Sequence, residues 1–341
     1  MTGDTGLRVA ASICAAILVI VALYAARVIF APLSFAVLIM AIVWPMQRRL
    51  QSAMPQLLAL LITMLVTIAV VVALGTLAAW AFSRIGLFLV NDAGQFRTLF
   101  EGAVDWLEQQ GITVAGLWAE HFSVTWLVRV FQEVTVRINN TLSFWAVVLI
   151  YVVLGLLEVD DVTARLRRLG NATAARVLLQ GGAATAAKFR RYMLIRTLMS
   201  AMTGLLVAGF ALATGLGLAA EWGVLAFVLN YVPFLGSLVS TVLPTIFAVS
   251  QFGSWEMVVL VFVCLGVIQF LVGSYLEPRI AGSALSLSPF AVLFTVFLWT
   301  FLWGIGGAFI GVPIVLACVT LCEQHPASRW VAELLGGDGS D

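Results

Sequence analysis

The chain has 341 residues, of which 62% are hydrophobic and only 10% charged. A soluble domain carries about 25% charged residues, so a water-soluble globule is excluded and an all-α polytopic membrane protein is expected. Net charge is +1, and no basic face of the kind that binds nucleic acid emerges.

Residues 1–82 hold the N-terminal membrane segments. Apolar chain runs from Val9 to Ala26, longer than a signal-peptide core, which predicts an uncleaved first span from Val9 to Ile29 with Arg27 near its far end. Pro32 is expected to break it. Leu33–Val43 is short for a span and predicts a tilted segment or one arm of a broken hairpin. Arg48 and Arg49 follow, and Leu57–Phe82 is a further span.

Composition then changes. Residues 83–140 hold four arginines against six acids, a balance of −2. Phe96, Leu99, Phe100, Ala103, Val104 and Leu107 recur at helical spacing, and Leu127, Val130, Phe131, Val134 and Ile138 form a second stripe. These predict amphipathic helices in an extracytoplasmic module, with Trp106, Trp118 and Trp126 suited to a membrane interface. His121 beside Phe122 reads as packed or solvated rather than catalytic.

Residues 141–157 form another span. Residues 158–196 hold eight basic residues against three acids, a balance of +5. They predict interfacial helices whose arginines meet anionic lipid headgroups. The positive-inside rule places this segment in the cytoplasm, the 83–140 module outside, and both termini in the cytoplasm.

Residues 197–322 form the C-terminal transmembrane core. Leu198–Ala220 is a span. Trp222–Ser250 is apolar but interrupted by Asn230-Tyr-Val-Pro-Phe-Leu-Gly236 and again at Pro244. It predicts one kinked span or a re-entrant hairpin with its tip at Asn230–Gly236. Met257–Tyr275 is a span that ends at Glu277-Pro278-Arg279, where Pro278 is expected to stop the helix. An ionisable pair between nearly uncharged stretches marks a functional position in a membrane protein, or a solvated loop at its surface. Pro289 opens a segment too long for one straight span, interrupted at Trp303-Gly304-Ile305-Gly306-Gly307, with Gly311 and Pro313 beyond. Broken helices of this kind build transporter binding sites; Gly307 and Gly311 also suit close helix packing. The 323–341 tail is polar and expected to fray.

Cys14, Cys264, Cys318 and Cys322 all lie in apolar segments. Cys318, Cys322 and His325 have a spacing that suggests a metal, but no second histidine is near in sequence, so no metal site, cofactor or disulfide framework is expected.

Three elements carry a resemblance. Asn230–Gly236 looks like an aromatic-x-Pro-x-x-Gly element. Glu277-Pro-Arg-Ile-Ala-Gly282, followed by Leu285-Ser-Leu-Ser-Pro289, looks like a Glu-Pro-basic signature. Trp303–Gly307 through Gly311-Val-Pro313 looks like a Trp-Gly…Gly…Pro element. In this order and spacing they resemble the autoinducer-2 exporter family of bacterial permeases, over nearly the whole chain. The resemblance implies about eight membrane segments, some re-entrant, in the bacterial cytoplasmic membrane. It also implies self-association into a homo-oligomer, a pentamer, and transport of autoinducer-2 outward or exchange of sodium or lithium for protons.

Two transport chemistries therefore compete. A small polar solute would use the hydrogen-bonding groups of Asn230, Tyr231, Ser274, Tyr275, Ser283, Ser286 and Ser288. A monovalent cation would need an intramembrane carboxylate, and only Glu277 lies in a recognisable motif. Glu277 is expected to be gate or coupling acid and Arg279 its partner or a substrate clamp. Pro233, Gly236, Pro278, Gly282, Pro289, Gly304, Gly307, Gly311 and Pro313 are expected to be hinges. A structural or sensory role would rest on 83–140. No nucleophile–base constellation is present, so an enzyme is not expected.

Overall fold

The computed structural model describes residues 2–91, 124–168, 172–281, 287–325 and 328–335. They are helical, without a sheet. In order the helices are α1 (Thr2–Ala25), α2 (Arg27–Gln51), α3 (Gln56–Asn91), α4 (Val124–Arg167), α5 (Ala172–Thr214), α6 (Ala219–Leu229), α7 (Leu235–Phe252), α8 (Trp255–Phe270, then a π-turn over Leu271–Leu276), α9 (Glu277–Ala281), α10 (Pro289–Glu323) and α11 (Arg329–Leu335). Among the described residues seven helical segments are long and apolar enough to cross a membrane, and Ala10–Ala25 and Ala219–Leu229 are shorter apolar helices.

The N-terminal break falls at Ala26, not at Pro32. Pro32 and Pro45 both lie inside α2. Pro32 lies in the second turn, where it removes one backbone donor without ending the helix.

Helices α3, α4 and α5 have 36, 44 and 43 residues. At 1.5 Å per residue even α3 is about 54 Å long, well beyond a hydrocarbon core of about 30 Å. The polar stretches at 83–91, 124–140, 158–167 and 172–196 are thus continuations of spanning helices rather than separate surface helices. The Phe96–Leu107 stripe, Trp106, Trp118 and His121 lie outside the described residues.

The chain divides into two compact units, one from 1–64, 143–191 and 286–341, the other from 65–142 and 192–285. In the first unit α2 and α11 pack against α10. Phe35 of α2 meets Phe144, Trp145 and Phe309 with ring centroids 5.4, 5.9 and 6.0 Å apart. Lys188 pairs with Glu323 at 2.8 Å, and Arg190 Nη1 donates to the Ala41 carbonyl at 2.9 Å. The tail is not frayed through its described part, because α11 folds back and the Ser288 N–H donates to the Leu335 carbonyl at 3.1 Å.

α10 is a hairpin. Gly304 has φ 67° and ψ −146°, outside the helical region, and only glycine adopts such backbone freely. A Cβ added at Gly307 would collide with the Trp299 carbonyl, and one at Gly311 would lie 3.3 Å from Thr295 Cγ2. In a straight helix residues 295 and 311 would be about 24 Å apart. The arms therefore run antiparallel, closing at Trp303–Gly304, and the absent side chains at 307 and 311 let them touch. Trp303 Nε1 donates to the Leu23 carbonyl of α1 at 3.1 Å. Pro313 is buried within the second arm and does not interrupt it.

The second unit contains the other hairpin, α6 and α7. α6 has eleven residues, about 16 Å, too short to span alone. A Cβ added at Gly236 would collide with the Leu229 carbonyl, which closes the turn at Asn230–Phe234. Phe234 takes φ 62°, ψ −55°, a strained value for a residue with a side chain. Of the two readings of Trp222–Ser250, the hairpin is the one the fold adopts. Pro244 lies within α7 without breaking it.

Candidate functional site

The two ends of the α6–α7 hairpin are held very differently. Its root is braced many times. The Gln251 side chain accepts from the Gly217 N–H at 2.8 Å and donates to the Gly215 carbonyl at 2.7 Å. Trp222 Nε1 donates to the Gly217 carbonyl at 2.9 Å. Arg84 Nε pairs with Glu221 at 3.1 Å. Phe247 packs on Phe88 and Trp222 with centroids at 4.3 and 5.4 Å, inside a cluster that includes Ile85, Val207, Leu225, Val261 and Leu265. α6 also lies tight on α5, where a Cβ at Gly204 would be 2.7 Å from the Gly223 carbonyl.

The tip rests on α5 through two side-chain hydrogen bonds. The Tyr231 hydroxyl donates to Thr197 Oγ1 at 2.9 Å. Asn230 Nδ2 donates to Ser200 Oγ at 3.2 Å. Thr197 and Ser200 are three residues apart and share one helix face.

The same turn of α5 carries Arg196. Its Nη1 donates to both oxygens of Glu277, at 2.6 and 2.7 Å, with side chains only 7% and 14% exposed. Such a pair is strong only because the alternative, one buried charge alone, is so costly. The charges of Arg196 and Glu277 both act on the buried Tyr192 hydroxyl, and Arg196 also acts on Tyr231. Beside them Ile195 and Met199 pack on Val272, with Met202, Ile268 and Leu276 around them. This apolar seam between α5 and α8 keeps the local dielectric low.

Pro278 explains how Glu277 is aimed. In a regular α-helix its ring would strike the carbonyl four residues back, that of Ser274. Instead the chain widens over Leu271–Leu276, and the Glu277 N–H donates to the Val272 carbonyl five residues back. The extra residue rotates the chain beyond it by about 100°. The helix then continues through Pro278 to Ala281, so the expected stop does not occur.

Glu277 is not paired with Arg279. Arg279 is exposed and its guanidinium lies 4.4 Å above the Tyr275 ring, a cation–π contact. Adjacent positions on a helix point in different directions, and Glu277 and Arg279 are only two apart. Ser274 is exposed in the π-turn. Asn230, Tyr231 and Glu277 are thus brought together through α5, whereas Arg279 and Ser274 face outward. Pro233 and Gly236 form the hairpin turn. Pro289 opens α10 under a Ser288 cap whose hydroxyl accepts from the Ala291 N–H at 3.2 Å, so it sets a helix start. Gly304, Gly307 and Gly311 shape the α10 hairpin. Gly282, Ser283 and Ser286 lie outside the described residues.

Arg196, Thr197, Ser200 and Gln269 were not singled out by the sequence. Arg196, Ser200 and Thr203 recur at i, i+4 and i+7 and are all buried. Gln269 is the lone polar side chain between Met257 and Gly273 apart from Cys264. Those two patterns are the signal that was available. Among the described residues no group of three or more metal-ligating side chains occurs.

The model of the family described as AI-2E family transporter matches residues 13–327. The AI-2 transport protein TqsA of Escherichia coli (strain K12) is 25% identical over 338 residues, covering 97% of this chain and 96% of TqsA. A Borreliella burgdorferi protein named as a transport protein is 33% identical over 148 residues, 43% of this chain and 41% of that protein. The Escherichia coli (strain K12) transport protein YhhT is 34% identical over 145 residues, 42% of this chain and 41% of YhhT. The chain thus aligns with about two fifths of the length of the latter two. The family match takes in both hairpins, the α5 turn and the Glu277 segment, and the chain belongs to the AI-2E transporter family, whose members are multi-pass inner-membrane transport proteins.

Proposed function

We propose that the protein moves a small polar solute outward across the cytoplasmic membrane; its relative TqsA is named as an AI-2 transport protein. The observation that carries this reading is the α6–α7 hairpin, braced at its root and latched at its tip by Tyr231–Thr197 and Asn230–Ser200. A short re-entrant arm with polar groups at its tip can swing without unfolding a spanning helix. Asn230 and Tyr231 are its solute-facing residues, and Glu277 with Arg196 closes the seam behind them. Arg279 and Ser274, on the outer side of that segment, serve entry or exit. Pro233 and Gly236 act as the hinge of this hairpin, and Gly304 and Gly307 as that of α10.

Exchange of sodium or lithium for protons has less support. It needs a carboxylate that alternates between proton and metal. Glu221 and Glu277, the acids buried or partly buried in apolar helices among the described residues, are each held by an arginine. The proposed topology keeps both termini and 158–196 in the cytoplasm and 83–140 outside, with subunits joined as a homo-oligomer.

The test is uptake into everted membrane vesicles, presenting labelled autoinducer-2 and, separately, sodium with a pH-sensitive dye. Tyr231→Phe-sensitive solute uptake without a sodium-driven proton signal upholds the exporter. A sodium-driven proton signal lost in Glu277→Gln replaces it with the antiporter.

A further inference from the structure

The second arm of α10 carries two thiols one helical turn apart. Cys318 is exposed, Cys322 is partly exposed, and neither is in a disulfide. The arm is helical from Ile305 to Glu323. Positions four apart therefore share one face, with their Cβ atoms about 5–6 Å from each other. The Cys318 thiol feels the thiol of Cys322 electrostatically. The turn that carries them is held in place at its end. The Cys322 carbonyl accepts from the His325 N–H at 3.3 Å and from Ser328 Oγ at 3.1 Å.

This spacing closes one chemistry and opens another. A disulfide needs Cβ atoms about 3.5–4.5 Å apart, so it would have to unwind the turn. A metal–thiolate bond is about 2.3 Å, so two thiolates on opposite sides of one ion span about 4.6 Å. Staggered side chains on this face can meet that span without moving the backbone.

The number of ligands selects the ion. Among the described residues no group of three or more histidine, cysteine or acidic side chains comes together, so His325 adds no third ligand. Zinc, which takes four, would lack half its shell. Soft thiolates alone suit Cu(I). Charge permits the same ion. Two thiols that bind a monovalent cation release two protons, and the complex carries one negative charge. Glu323 is the only acid between Glu277 and Glu333, and Lys188 holds both its oxygens, at 3.1 and 2.8 Å. No unpaired acid of that turn opposes the complex. In the proposed topology this end of α10 faces the cytoplasm, where thiols are kept reduced.

We infer that Cys318 and Cys322 form a two-thiolate site for a soft monovalent cation of the Cu(I) class. The site is separate from the hairpin tip and the ion pair and does not depend on the transport reading. An ion bound there ties two successive turns of the second arm together at its end. Cys14 and Cys264 stand singly on α1 and α8 and serve as internal controls.

The experiment titrates the purified, reduced full chain in detergent with Cu(I), in competition with bicinchoninate and without oxygen. A variant with Cys14→Ser and Cys264→Ser, which keeps only the pair, is expected to bind one Cu(I) per chain. Adding Cys318→Ser or Cys322→Ser is expected to weaken Cu(I) at least about a hundredfold, because the second ligand is no longer held beside the first. Zn(II) is expected to bind the pair at least about a hundredfold more weakly than Cu(I). Cu(I) is also expected to raise the thermal midpoint of the unaltered chain and not that of Cys318→Ser. Should a serine variant fail to fold, alkylation of the unaltered chain read by mass spectrometry decides. Cu(I) is expected to protect Cys318 and Cys322 and to leave Cys14 and Cys264 as reactive as before. Unchanged Cu(I) affinity in either serine variant overturns the site. Equal protection of all four cysteines, or Zn(II) held as tightly as Cu(I), overturns it as well.

Discussion

Arg196 and Glu277 stand 81 residues apart in the chain and meet at 2.6 Å. Their contact fastens the end of α8 to the turn of α5 on which the α6–α7 hairpin tip also rests, through Thr197 and Ser200. One helical turn therefore holds two separable parts, the hairpin tip and the π-turn segment. Movement of either is felt by the other through this turn of α5, in addition to the direct packing of α7 on α8.

Loss of one partner of this pair should be expensive and loss of both should not. Arg196→Met leaves the Glu277 carboxylate mostly buried and unpaired, at a cost of about 3 kcal/mol. Arg196→Met combined with Glu277→Leu should recover most of it. Unfolding of both variants in a denaturing detergent series measures the difference. Equal destabilisation would mean that the pair is not coupled. Neither variant is expected to transport.

Cross-linking separates tip from root. Ser200→Cys with Asn230→Cys replaces two groups now 3.2 Å apart; the double variant gives up one solute-facing amide, and whatever transport it keeps should stop when a flexible bis-thiol reagent bridges the two positions. Gly217→Cys with Gln251→Cys, bridged by the same reagent at the root where the Gly217 N–H now meets the Gln251 side chain at 2.8 Å, should leave transport intact. Continued transport with the tip cross-linked would show that the hairpin does not move.

Glycines at the two turns are expected to tolerate no side chain. Gly236→Ala and Gly307→Ala drive a methyl into the carbonyls of Leu229 and Trp299, and backbone cannot step aside as a side chain can. Each should cost about 1–3 kcal/mol or more. Gly209→Ala and Gly266→Ala meet nothing within 4 Å and should be neutral or stabilising by up to about 1 kcal/mol. Thermal unfolding of the four purified variants tests the contrast, and four equal midpoints would contradict it.

Membrane sidedness is tested by impermeant thiol labelling of intact cells on a background without the native cysteines. Glu108→Cys should label and Arg168→Cys should not. The opposite pattern would invert the proposed topology.

The sequence shows clearly what hydropathy and backbone punctuation encode. Length and apolarity predict the helices, and Asn230–Gly236 and Trp303–Gly307 mark both hairpins because proline, glycine and asparagine interrupt apolar runs for local reasons. Helix lengths were harder to read. A run such as Glu158–Arg167 is polar because it lies beyond the apolar core of its helix, and the helix does not end where the apolar residues end. Pro278 misled in the opposite direction, since a π-turn absorbs it. The ion pair was the least legible feature. Arg279 is near Glu277 in sequence, but helix geometry separates neighbours two apart and favours a partner from another helix. Arg196 was hidden among seven other basic residues of its segment, and only its buried setting distinguishes it.

The Arg196–Glu277 pair has one further consequence, which concerns voltage. Its two charges sum to zero, so the pair can open and close as a unit without moving net charge through the membrane field. The only charge then carried across by this part of the protein is that of the solute. A neutral solute would be indifferent to the potential. A singly charged anion leaving a cell that is 100 mV negative inside would gain about 2.3 kcal/mol, or roughly 50-fold in its equilibrium distribution. The resting potential by itself would then set an outward direction for transport, with no coupling ion.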